Sequence, residues 1–84
     1  MENPATDSLL RVLIVDDDDA FRAALIEFLQ LRGRQVRSCR DGQEAIRVLQ
    51  EENEPYDVVI TDLIMPSIGG LEVIQAAKKR YAET

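Results

Sequence analysis

The sequence predicts a small α/β protein in which one parallel sheet is layered with helices. Short runs of apolar and β-branched residues alternate with segments of helical periodicity, a pattern that implies parallel strands joined by right-handed crossovers. The first and third of those runs also end in aspartate, at Asp16 and Asp62. With 84 residues, 45% of them apolar, the chain has room for one domain of ordinary composition. A chain of this size buries only about 60–65% of the surface it exposes when unfolded, so a metal or a partner would add usefully to its stability.

The polar start, residues 1–8, is expected to be a disordered tail, and the domain to run over 9–84. Leu9 to Val15 is nearly continuous in apolar residues, broken by Arg11, and stops at four aspartates; this is the pattern of a strand buried on both faces. Phe21, Ala24, Leu25, Phe28 and Leu29 then recur at the spacing of a helix whose apolar stripe faces a core, and Gly33 supplies a left-handed stop. Gln35 to Cys39 is short and contains Arg37, which suits an edge strand.

Asp41-Gly-Gln-Glu44 has the spacing of a capping box, with Asp in place of Ser or Thr, and Ala45, Ile46, Val48 and Leu49 form the stripe of a second helix. After Pro55, Val58-Val-Ile60 predicts a third strand leading into Thr61-Asp62. Leu71, Ile74 and Ala77, with Val73 beside them, mark a third helix to about Tyr81. No repeat or low-complexity segment is present.

The net charge of −6 argues against non-specific binding to nucleic acid or an anionic membrane. The one basic cluster, Lys78-Lys79-Arg80, falls where cations complement a helix C-terminus. No apolar run approaches the ~20 residues that cross a bilayer. Cys39 is the only cysteine, and the amino terminus lacks the basic start and apolar stretch of a signal peptide, so the expected location is the cytoplasm.

In a parallel sheet the carboxyl ends of all strands share one edge, where ligands of open α/β folds bind. Adjacent strands lie about 4.8 Å apart, so Asp16, Asp17 and Asp62 converge if strands one and three are neighbours. Three carboxylates that close cannot all stay ionised without a cation. Mg²⁺, held by one or two carboxylates plus waters and phosphate oxygens, is the natural counterion, and it would also neutralise a phosphoryl group approaching one of them. Asp62, alone at its strand end, is the candidate nucleophile for an acyl phosphate. Asp18 and Asp19 are assigned instead to capping the first helix or to solvent.

Val12-Leu-Ile-Val-Asp16-Asp17, Asp41-Gly42-Gln-Glu44-Ala45 and Val58-Val-Ile-Thr-Asp62-Leu-Ile-Met65-Pro66-Ser-Ile-Gly-Gly70-Leu71-Glu72 resemble response-regulator receiver domains of two-component signalling. The resemblance implies a flavodoxin-like three-layer fold, here a partial (βα)3 with parallel strand order 2-1-3. It further implies a phosphorelay module, not an enzyme: Asp62 would take a phosphoryl group from a sensor histidine kinase or phosphotransfer protein, and Asp16 and Asp17 would bind the Mg²⁺. The backbone carbonyl of Ile64 would be a further ligand, its side chain sitting where the family tunes the phosphoryl lifetime, and Met65-Pro66 and Gly70 would shape the loop beside the site.

Receivers continue for two further strands that carry a Ser or Thr and a Lys at the phosphoryl group. The sequence ends before both, so 9–84 is expected to be a truncated receiver with impaired phosphoryl acceptance. Lys78 and Lys79 do not take the role of that lysine, and Gly69 stands where the family commonly has Asp or Asn. Val58, Val59 and Ile60 would then form an open apolar edge, and pairing with a second copy would hide it, so a homo-oligomer is expected. The alternative is a non-signalling, oligomerising interaction module derived from a receiver. A more distant one is an acyl-phosphate phosphohydrolase of the haloacid-dehalogenase type, whose Asp-x-Asp pair Asp16 and Asp18 would mimic.

Overall fold

The computed structural model describes residues 10–53 and 55–81; the tail expected over residues 1–8 lies outside them. The elements alternate as β1 (Arg11–Val15), α1 (Asp19–Gln30), β2 (Gln35–Cys39), α2 (Gly42–Glu51), β3 (Val58–Thr61) and α3 (Gly70–Arg80). The strands are all parallel, in the order β2-β1-β3. β1 starts at Arg11, where its ladder with β2 begins opposite Gln35; Leu9, the predicted start of the strand, lies outside the described residues. Gly33, at φ 77°, turns the chain just before that point, as its position in the sequence suggests.

β1 is central, and Val12, Leu13, Ile14 and Val15 are all buried. Its register sets Val12 beside Val58, Leu13 beside Val59 and Val15 beside both Cys39 and Thr61. Leu13 and Val15 face the main core, which they form with Cys39, Ala45, Val48, Leu49, Tyr56, Met65 and Val73. α2 and α3 close this face and pack against each other. α2 buries its stripe as its periodicity predicts, through Ala45, Val48 and Leu49.

Two stripes turn out differently. None of the residues of α1 is buried, and Phe21 and Phe28 are each 50% exposed. α1 packs against β2, and on the β3 side of the same sheet face Val58 and Ile60 remain 40% and 37% exposed, so the stripe meets only part of the core it is shaped for. In α3, Val73 is fully buried, with Ala76 and Ala77 packed beside it, whereas Leu71 is exposed.

The amino edge of the sheet is closed by polar contacts. The Arg11 guanidinium lies 4.4 Å over the Tyr56 ring, whose hydroxyl donates to Glu52 at 2.5 Å, and Arg37 donates to the other Glu52 oxygen at 2.6 Å. The Tyr56 N–H donates to the Tyr81 hydroxyl at 3.0 Å, tying α3 to the start of β3. These contacts leave the opposite, carboxyl edge as the place where the ends of β1 and β3 and the β3–α3 loop gather.

Candidate functional site

At the carboxyl edge, the hydrogen bonding of the sheet runs one residue past β1 and β3. The Asp16 N–H donates to the Cys39 carbonyl at 3.1 Å, and the Asp62 N–H donates to the Val15 carbonyl at 2.9 Å. The backbone of both acids is thereby fixed by the sheet. Asp16, Asp17 and Asp62 each bring a carboxylate oxygen to within 4.8 Å of the others; Asp16 and Asp62 are half-buried and Asp17 is exposed.

Each half-buried acid has one oxygen committed to its own loop. Asp16 Oδ1 accepts from the Asp18 N–H at 2.9 Å, and Asp62 Oδ1 accepts from the Ile64 N–H at 3.3 Å. A second oxygen on each remains for a ligand. Around an octahedral Mg²⁺ adjacent oxygens stand about 3.0 Å apart and opposite ones about 4.2 Å, so rotation of these side chains by up to about 2 Å at their tips would bring the all-oxygen donor set onto an ion. Mutual repulsion among three carboxylates gives the site its reason to take one.

Of the other two aspartates in the run, Asp18 caps α1 and Asp19 faces solvent in its first turn. Asp18 Oδ1 accepts from the Phe21 N–H at 3.1 Å, and Asp19, with its side chain 83% exposed, pairs with Arg22 at 2.6 Å. The Asp16–Asp18 pair of the phosphohydrolase alternative therefore does not form, since Asp17 joins the cluster and Asp18 caps α1.

The loop from β3 to α3 wraps the site. Met65 is buried in the core, while Leu63 and Ile64 are 62% and 86% exposed beside Asp62. Ser67 takes a left-handed φ of 66°, and the Gly70 N–H closes the loop on the Leu63 carbonyl at 3.0 Å. Gly42, at the start of α2, touches the same loop: a Cβ there would stand 2.5 Å from the Ile68 carbonyl oxygen. Sequence reasoning missed Arg22. Its signal was the i,i+3 spacing from Asp19, which marks a helix-surface pair and says nothing about the Asp16 carbonyl it also reaches.

With this geometry in view, residues 12–84 match the family model described as the response regulator receiver domain. The chain is 38% identical over 66 residues to the two-component response regulator ARR11 of Arabidopsis thaliana, covering 79% of this chain and 13% of that protein. The structure is similar to that of the response regulator TrrA of Thermotoga maritima in complex with Mg²⁺-BeF, with TM-score 0.79 and 38% identity over 88% of this chain and 63% of that one. It is also similar to the complex of the histidine kinase ThkA with TrrA, at TM-score 0.76 and 36% identity, covering 90% of this chain and 64% of the matched chain.

Proposed function

The chain belongs to the response regulator receiver family, and from that premise we propose that Asp62 accepts a phosphoryl group from the phosphohistidine of a sensor kinase or phosphotransfer protein, with Mg²⁺ bound by Asp16 and Asp17. The observation that supports this most is the approach of the three carboxylates to within 4.8 Å on adjacent strand ends. TrrA supports it further, having been captured with Mg²⁺-BeF and with a histidine kinase. The module acts in the cytoplasm and relays phosphoryl groups; it does not turn over a substrate of its own.

In the transfer, a carboxylate oxygen of Asp62 forms a bond to phosphorus as the bond from phosphorus to the histidine nitrogen breaks, and the imidazole leaves with its electron pair. Mg²⁺ supplies charge neutralisation for the phosphoryl oxygens. The Ile64 N–H on Asp62 Oδ1 holds the carboxylate at the strand end, and the Ile64 carbonyl is proposed as a further metal ligand. The Ser or Thr and the Lys that the family places on later strands lie outside these 84 residues, so acceptance by this segment alone is proposed to be weakened.

Intact-mass spectrometry after incubation with acetyl phosphate and Mg²⁺ tests the reading. An adduct of one phosphoryl group is expected, absent in Asp62→Ala and absent when a chelator replaces the metal. A folded protein that takes no adduct under any of these conditions sinks the proposal. It would leave the second reading, an oligomerising interaction module, which is favoured by one observation: Val58 and Ile60 on β3 remain 40% and 37% exposed.

A further inference from the structure

Arg22 sits on the first turn of α1, and only 16% of its side chain is exposed. One guanidinium nitrogen donates to the backbone carbonyl of Asp16 at 2.8 Å, and the other donates to Asp19 Oδ1 at 2.6 Å. An ion pair with an exposed aspartate contributes little to stability. The bond to the Asp16 carbonyl has a different consequence, because the peptide group is planar. Holding that oxygen fixes the rotation of the whole plane joining Asp16 to Asp17, and with it the direction in which the Asp17 carboxylate leaves the backbone. Asp17 is the exposed member of the acidic cluster.

The loop is locked from both sides. Asp16 Oδ1 holds the Asp18 N–H, Asp18 holds the Phe21 N–H, and Arg22 reaches back from the helix to the Asp16 carbonyl. We propose that Arg22 is a positioning residue for the cation site, clamping the Asp16–Asp17 peptide so that both carboxylates face Asp62. This rests on the metal-binding reading of that cluster.

The sign of the effect separates positioning from electrostatics. Arg22 is a cation beside a site for a cation. If its charge were all that mattered, removing it would tighten Mg²⁺ binding; if it merely stabilised the fold, affinity measured on folded protein would not move. Positioning alone predicts weaker binding, of about tenfold, in the range found when groups that orient metal ligands are removed.

Mg²⁺ affinity of the 84-residue chain is measured by titration calorimetry for the wild type, Arg22→Met, Arg22→Lys and Asp19→Asn, at a temperature where circular dichroism shows each folded. Arg22→Met is expected to bind about tenfold more weakly. Arg22→Lys, which keeps the charge and can still donate to the Asp16 carbonyl, is expected to recover most of that loss. Asp19→Asn, which leaves the carbonyl bond in place, is expected to stay within about twofold of wild type and keeps the idea testable should Arg22→Met fail to fold. Unchanged or tighter binding in folded Arg22→Met overturns the inference, as does a Lys variant no better than Met, or an Asn variant as weak as Met is expected to be. A wild type that binds no Mg²⁺ overturns the metal reading itself.

Discussion

A methyl group on residue 70 would stand 2.1 Å from the Asp62 carbonyl oxygen and 2.8 Å from Leu63 Cα. Both neighbours are backbone, so Gly70→Ala can be accommodated only by moving the strand end that carries Asp62, the proposed acceptor. The expected cost lies at or above the top of the usual overpacking range of about 1–3 kcal/mol. Urea denaturation checks the stability, and loss of the acetyl-phosphate adduct checks the displaced Asp62. A second residue-scale prediction concerns Cys39, whose thiol is pushed up from 9.0 to about 12, chiefly by burial and then by Glu44. Between those values the unfolded chain releases the thiol proton and the folded one keeps it, so stability falls as pH rises above about 9, by roughly 1.4 kcal/mol per unit. Tyr56, raised from 10.0 to about 12 by burial and by its bond to Glu52, adds a second loss above pH 10. Urea midpoints at pH 8 and 10.5 should therefore drop less in Cys39→Ala than in the wild type; an equal drop would show that the thiol is not responsible.

At the scale of elements, what the sequence made legible was local. Asp18 caps α1, and Asp41 caps α2 through the Glu44 N–H at 2.8 Å, each readable from an acid placed before a periodic stripe. The returning bond of that capping box goes one residue further than its spacing implies, from the Arg40 N–H to Glu44 at 3.1 Å. Asp41→Ala should cost about 1 kcal/mol, measured by denaturation, because the cap leaves a helix N–H without its partner. The convergence of Asp16, Asp17 and Asp62 was legible for a related reason: they follow directly from strand ends, and a parallel sheet sends all its carboxyl ends to one edge. What stayed hidden depended on distant chain. The periodicity of α1 reports an apolar stripe but not how many strands lie beneath it, so the half-exposed Phe21 and Phe28 could not be foreseen. That Gly70 lies beside the site came from the family resemblance and not from spacing, and its direct contact with the Asp62 carbonyl is decided by the loop fold.

For the molecule as a whole, the unresolved force is the outer side of β3. β3 is hydrogen-bonded to β1 on one side and has no second neighbour among the described residues. Its Val58 and Ile60 side chains are 40% and 37% exposed on the face that α1 covers incompletely. Two copies pairing β3 antiparallel about a two-fold axis at Val59 would complete the ladder and set Val58 across from Ile60 of the second copy, extending that apolar face. The same symmetry sets Asp57 across from Thr61 of the second copy, next to its Asp62, at both ends, so like charges well within a Debye length resist what the apolar centre favours. Association of these 84 residues should then be weak in low salt and strengthen as ionic strength screens the acids, and Mg²⁺ bound beside Asp62 should strengthen it further at equal ionic strength. Light scattering after size exclusion, across concentration and salt, checks this, with Ile60→Lys expected to keep the chain monomeric throughout. A wild type that stays monomeric at every salt and Mg²⁺ concentration would remove the interaction-module reading and leave the phosphoryl site as the chain's one proposed function.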